Sequence, residues 1–186
     1  MADENGIVIV DESPGVALGG RSVSSEHSGF SAKLLKNHLK GTFQTKLCVF
    51  FFGKCAIVHL AAMEEMIDRD KNRACVLIWS VANEPSSQLK EAGDYFASVA
   101  NHTRAMDPFK RPVGIVLNQD PNKDHAAQHF DIVGVNKYFG WYQDTGRLDL
   151  ITNQMVHLIS SWKEKHPNLA LFVAEVNSSF QSQKAR

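Results

Sequence analysis

The sequence predicts an α/β protein built on a parallel sheet, and two observations carry that expectation. Short runs of β-branched and apolar residues recur along the chain, and longer stretches between them repeat apolar residues every three or four positions. Strand, helix, strand in repeated order makes the strands parallel, joined by right-handed crossovers. About five strands can be counted, which fits both an open doubly wound sheet and part of a (β/α)8 barrel.

The first strand is Ile7-Val8-Ile9-Val10, a short apolar run that reads as buried in a parallel sheet and ends at Asp11-Glu12 before Ser13-Pro14-Gly15. Ala62, Met63, Met66 and Ile67 follow helical spacing with charged residues between them. Cys75 to Val81 is the second strand and closes on Ala82-Asn83-Glu84-Pro85. Ser86 and Ser87 offer an N-cap, after which Leu89, Ala92, Phe96, Val99, Thr103 and Met106 mark one face of a helix of about five turns. Pro112–Leu117 and Asp131–Asn136 read as the next strands. Leu148, Ile151, Met155, Leu158 and Trp162 mark one face of a further helix. Leu169–Ala174 is the last strand and ends at Glu175. Two segments break the pattern: Gly19 to Ser31, rich in Gly and Ser, and Lys40 to Leu60, rich in Phe and Cys without clean periodicity.

The 186 residues are enough for one sizeable domain. With 20 basic and 20 acidic residues the formal charge is zero, so no basic field draws the chain to nucleic acid or to an acidic membrane surface. Three cysteines are an odd number and do not suggest a disulfide framework; the histidines are scattered without metal-ligand spacing. The most apolar stretch, Leu47 to Leu60, is broken by Gly53-Lys54 and is too short to span a bilayer. The first residues lack the basic-then-apolar pattern of a signal peptide, so the chain taken literally stays in the cytosol.

Ligands of parallel α/β folds sit at the carboxyl ends of the strands. Four predicted strands end in suggestive groups: Asp11-Glu12, Asn83-Glu84, Asn136 and Glu175. Two carboxylates at strand ends suit glycoside hydrolysis, in which one carboxylic acid protonates the leaving oxygen and a second carboxylate works from the other side of the sugar. In a retaining enzyme the two lie roughly 5–5.5 Å apart and the second attacks the anomeric carbon. A Glu at a strand end can equally be an ordinary surface carboxylate or a partner of a helix N-terminus, and fold alone does not decide between them.

Three stretches carry a resemblance. Asp70 to Pro85, with Trp79-Ser80-Val81-Ala82-Asn83-Glu84-Pro85 at its end, resembles the acid/base signature of glycoside hydrolase family 2, its β-glucuronidase branch in particular. Asn136-Lys137-Tyr138-Phe139-Gly140-Trp141-Tyr142, followed by Gly146 and Leu148, is similar to the tyrosine-bearing loop of the same enzymes. Gly6 to Gly15 resembles their strand ending in Asp-Glu before a Pro-Gly turn.

The resemblance implies a partial (β/α)8 TIM barrel, family strands three to seven, over residues 1–175. It implies that Glu84 is the acid/base and Glu175 the nucleophile. Asn83 would bind the sugar 2-hydroxyl, Tyr138 would support the nucleophile, Tyr142 would line the sugar pocket, and Asp11 would be an acidic residue near it. Packing alternatives stand beside these: the tyrosines on the barrel rim, Asn83 as a helix cap, Trp79 in the core, and His102 and His157 as helix-surface residues. The implied reaction is hydrolysis of a β-glucuronide or a glycosaminoglycan-type sugar, with no cofactor or metal, no nucleic acid and no membrane partner. A homo-oligomer and a lysosomal or secreted location go with the family.

The sequence also departs from the family pattern. Glu175-Val176-Asn177-Ser178 stands where the family has Glu-Tyr-Gly, and residues 176–186 form a divergent polar tail. Lys40 to Leu60 reads as an insertion within one helix, and Arg73-Ala74 replaces the usual His-Pro. The expected barrel lacks its first two strands and its eighth, and the basic residues that recognise a substrate carboxylate would lie further on. A second reading is therefore a truncated, inactive member of the family.

Overall fold

The computed structural model describes residues 1–13, 47–142 and 144–176, with residues 47–55 described by backbone alone. Gly19 to Ser31, Lys40 to Thr45 and the tail beyond Val176 lie outside the described residues. Five strands form one sheet in the order of the sequence: β1 (Ile9–Glu12), β2 (Val76–Asn83), β3 (Val113–Leu117), β4 (Ile132–Lys137) and β5 (Ala170–Val176). Every neighbouring pair is parallel. Sequential order is the order of a (β/α)8 barrel, whereas a doubly wound sheet reverses at a switch point; here the β3–β4 connection holds two 3-10 turns, Pro121–Lys123 and Ala127–His129, in place of an α-helix. The sheet curls into part of such a barrel.

Three helices follow strands: α1 (Leu47–Asp70), α2 (Ala92–Met106) and α3 (Leu148–Lys165). They bury their apolar stripes against the outer face of the sheet. Trp79, Val81, Val113, Ile115, Leu117, Val133 and Val135 meet Met63, Ile67, Phe96, Val99 and Trp162 there. Trp79 is fully buried, with the Arg111 guanidinium 5.4 Å from its ring centre, so it belongs to the core.

The concave face is lined by the alternate residues. Val10 pairs with Ile78, Glu12 with Ser80, Gly114 with Ile132 and Gly134 with Phe172. Two glycines lie on this face because curling crowds it. A Cβ on Gly114 would sit 3.0 Å from the Ile132 carbonyl oxygen, and one on Gly134 would sit 2.8 Å from Phe172 Cζ.

Several sequence expectations shift. The first strand is Ile9–Glu12 rather than Ile7–Val10, and Ile7 and Val8 are exposed. The first strand is not buried on both faces as expected, since β1 is half-exposed, and most of β5 at the other edge is exposed as well. Each has one strand neighbour among the described residues, so half the cover available to β2, β3 and β4 is absent. The helix after Glu84 begins at Ala92, not near Ser87, and Glu91 at its N-cap makes no side-chain cap. Ser86 to Ala92 turns through three-residue hydrogen bonds instead, Leu89 N–H to the Ser86 carbonyl (3.1 Å) and Ala92 N–H to the Leu89 carbonyl (3.0 Å). The helix over 148–165 buries only Leu158 and Trp162 fully, while Leu148 is exposed. Residues 47–60, set apart by the sequence as part of an insertion, run without a break into 61–70 as one helix.

Candidate active site

Both predicted carboxylates sit just beyond irregularities at strand ends. Between Ser80 and Asn83 three residue steps of β2 oppose two of β3, from Gly114 to Val116. Between β4 and β5 one step, Val135 to Asn136, opposes two, Val173 to Glu175. A bulge of this kind turns the following side chain to a new direction. Without the second one, alternation would send Glu175 to the face opposite Ala174; with it, Glu175 stands across from Asn136. Glu84 itself has a left-handed backbone, φ +49°, which costs a non-glycine residue of order 1–3 kcal/mol. Its N–H is held by the Val116 carbonyl at 2.9 Å, so β3 fixes this strained turn.

The Glu84 carboxylate accepts two amide hydrogen bonds, one on each oxygen. Asn136 Nδ2 donates to Oε1 at 2.8 Å, and Asn118 Nδ2 donates to Oε2 at 2.9 Å. Asn136 is buried on β4, and its Nδ2 also donates to Asn83 Oδ1 at 3.0 Å. Asn83 is thus tied into this network instead of capping a helix. Asn118 follows the last residue of β3 directly, and Gln119 Nε2 donates to its side-chain oxygen at 2.8 Å.

Tyr138, one residue beyond β4, donates its hydroxyl to Glu175 Oε2 on β5. That hydrogen bond, then partial burial and the charge of Glu175, push the phenol up to about 12. Tyr142 packs edge-on against Tyr138 with ring centres 5.6 Å apart. Gly140 has a left-handed φ of +78° in the loop between them, a conformation open to glycine at little cost. Tyr142 and the adjacent Trp141 are exposed.

The structure thus brings Asn83, Glu84, Tyr138, Tyr142 and Glu175 to one end of the sheet. It does not bring Asp11 there. On β1, Asp11 pairs with Trp79 and faces α1, where Arg69 lies 3.9 Å from its carboxylate. Burial and the adjacent Asp70 carboxylate push Asp11 up, against the pull of Arg69. The next residue, Glu12, takes the concave side: Ser80 Oγ donates to its Oε2 at 2.8 Å. Burial raises the Glu12 carboxyl and the Glu175 charge adds to that, while Ser80 opposes both.

Glu12 and Asn136, noted at strand ends without a role, belong to the cluster, as do Asn118 and Lys137, which the sequence had not singled out. Asn118 was within reach of the strand-end rule, since it directly follows the Val113–Leu117 run. Choosing between Asp11 and Glu12 needed the register of β1 against β2, which no local pattern supplies. Among the described residues no group of three His, Cys, Asp or Glu side chains is placed to hold a metal ion. No helix among them is long and apolar enough to cross a membrane.

Residues 1–170 match the family described as glycosyl hydrolases family 2, TIM barrel domain. The chain belongs to this family. The β-glucuronidase of Pongo abelii is 37% identical over 166 residues, which are 89% of this chain and 21% of that protein. The Homo sapiens β-glucuronidase is 36% identical over the same shares. Among solved structures, the β-D-glucuronidase of Dictyoglomus thermophilum superposes with a TM-score of 0.75 at 30% identity, over 99% of this chain and 29% of that one. A β-glucuronidase from an uncultured Clostridium gives 0.74 at 29% identity, over 96% and 27%. The chain therefore spans about a fifth of the length of the curated relatives it matches. Glu84 and Tyr138 fall inside the family match; Glu175 follows its last residue by five positions (175 − 170).

Proposed function

We propose that this chain carries the catalytic centre of a retaining β-glucuronidase-type glycosidase, with Glu84 as acid/base and Glu175 as nucleophile. The observation that carries this reading is the double grip of β4. Asn136 reaches the Glu84 carboxylate, and Tyr138, two residues on, reaches the Glu175 carboxylate. One rigid strand end holds both groups, as a reaction needing two oriented carboxylates requires.

In the proposed reaction Glu84 protonates the glycosidic oxygen while Glu175 Oε attacks the anomeric carbon, forming a glycosyl ester and releasing the alcohol. Glu84, now ionised, takes a proton from water, and the resulting hydroxide equivalent cleaves the ester. Asn83 lies beside Glu84 and offers an amide to the sugar 2-hydroxyl. Tyr142 and Trp141 offer exposed aromatic faces at the rim. Glu12 replaces Asp11 as the acidic residue of the pocket. A β-glucuronide is the proposed substrate, on the strength of the relatives named β-glucuronidase.

The test is hydrolysis of an aryl β-D-glucuronide by the purified chain, beside Glu84→Gln and Glu175→Gln. Turnover lost in both variants supports the assignment; turnover surviving in either removes that residue from its role. A second reading, a member that folds without turning over substrate, is favoured by the exposure of β5, which carries Glu175 at an outer edge of the sheet. A cooperative unfolding transition with no hydrolysis would select it.

A further inference from the structure

Lys137 closes β4 between Asn136 and Tyr138, and no step described above uses it. Its ammonium is half-buried and donates to the backbone carbonyl of Asn118 at 2.5 Å. Asn118 is the residue whose side-chain amide reaches Glu84 Oε2 at 2.9 Å. We propose that Lys137 is a positioning residue for the acid/base carboxyl, fixing the Asn118 backbone so that its amide is aimed at Glu84. The inference rests on the assignment of Glu84 made above.

Three features support it. Adjacent residues of one strand act on the two oxygens of one carboxylate: Asn136 directly on Oε1, and Lys137 through Asn118 on Oε2. The loop after β3 is otherwise open to solvent at Asp120, so a free Asn118 would have other conformations to visit. The Asn118 side-chain oxygen is already taken by Gln119, which leaves its Nδ2 to face Glu84. A lysine is also suited to this place electrically. Burial lowers the Lys137 ammonium from its ordinary value, while Asp120 and Glu84 both pull it back. The other charged or titratable groups at this end of the sheet, among the described residues, include Glu12, Tyr138, Tyr142 and Glu175; Tyr138 responds to both Glu84 and Glu175, and Glu12 to Glu175.

A residue that aims the acid matters most where the leaving group needs a proton. Phenyl β-D-glucuronide needs one; 2,4-dinitrophenyl β-D-glucuronide leaves without it. In the full chain, Lys137→Met is expected to lower kcat/KM, which reports the step that expels the leaving group, about tenfold or more on the phenyl substrate and less than about threefold on the dinitrophenyl substrate. Lys137→Arg, which keeps the charge and the donor, is expected to restore most of the loss. Equal losses on the two substrates, no loss on either, or identical behaviour of the Met and Arg variants would overturn the proposal.

A second arm does not depend on turnover. The side-chain amide resonances of Asn118, assigned by their disappearance in Asn118→Ala, are compared across the variants. They are expected to move in Lys137→Met and to return to the parent position in Lys137→Arg, because the contact that aims this amide at Glu84 is removed and then restored. Asn118 resonances that do not move in Lys137→Met overturn the proposal even if the parent chain proves inactive. A parent chain without hydrolysis but with the movement would discard the enzymatic reading and keep the geometric one.

Discussion

Asn136 Nδ2 lies 2.8 Å from Glu84 Oε1 and 3.0 Å from Asn83 Oδ1, so a single buried amide spends both of its hydrogens on the last residue of β2 and the one that follows it. Among the described residues the amide oxygen of Asn136 has no partner, which suits a group placed for its donors. Replacing it with Asp would set an acceptor and a charge against two acceptors. Asn136→Asp is expected to lower kcat on an aryl β-glucuronide about 10- to 100-fold, the range of a lost hydrogen bond to a charged group. Unchanged kcat would show that Glu84 does not depend on this contact.

Tyr138 holds Glu175 through its hydroxyl alone, so Tyr138→Phe removes the contact and keeps the ring against Tyr142. We expect a fall in kcat of about tenfold or more with little change in Tm, since the group is not in the core. The phenol of Tyr138 stands at about 12 because the Glu175 hydrogen bond holds its proton. An ultraviolet titration of the chain should therefore contain a late-ionising component that vanishes in Tyr138→Phe and moves to lower pH in Glu175→Gln.

His59 on α1 ties the helix layer to β2. Its Nε2 lies 2.7 Å from the Val81 carbonyl and its Nδ1 lies 2.8 Å from the Tyr95 hydroxyl. A carbonyl can only accept, so Nε2 carries the proton and Nδ1 of the neutral ring accepts from Tyr95. Burial lowers the imidazole below its ordinary 6.5, against the Val81 hydrogen bond, which raises it. The unfolded chain then takes up a proton that the folded chain refuses. The stabilising contribution is present above 6.5 and is lost as the pH falls below it. Urea unfolding from about pH 7 down to about pH 5.5 should show a loss of stability that His59→Gln does not share.

Gly134 leaves no room for a side chain on the concave face. A Cβ there would approach Phe172 Cζ at 2.8 Å, Val116 Cγ2 at 3.0 Å and Ala174 Cβ at 3.1 Å. Gly134→Val is expected to destabilise by about 1–3 kcal/mol, as overpacking does, through displacement of Phe172 and the segment leading to Glu175. Thermal unfolding of the variant beside the parent measures this, and an unchanged Tm would mean that β5 can move away freely.

The strand-helix alternation was legible because each element is periodic by itself. Asn83, Glu84, Tyr138 and Tyr142 were legible because they stand in motifs at strand ends. Glu175 was legible as the end of an apolar run, although its neighbours depart from the family. Asp11 misled, since it and Glu12 are adjacent acids at one strand end and only pairing decides which enters the pocket. His59 gave no local signal at all, being one histidine in an apolar stretch without clear period.

The sequence by itself determined that strands alternate with helices on a parallel sheet and singled out the two glutamates as strand-end candidates, because hydrophobic period and residue type are properties of short segments. The tertiary structure alone decided that Glu12 faces Ser80 while Asp11 faces Arg69, that two bulges turn Asn83 and Glu175 onto the working face, and that Asn136, Asn118 and Tyr138 grip the carboxylates. The physical reason is register. A shift of one residue between neighbouring strands exchanges the faces of every side chain beyond it, and that shift is set by the packing of the whole sheet.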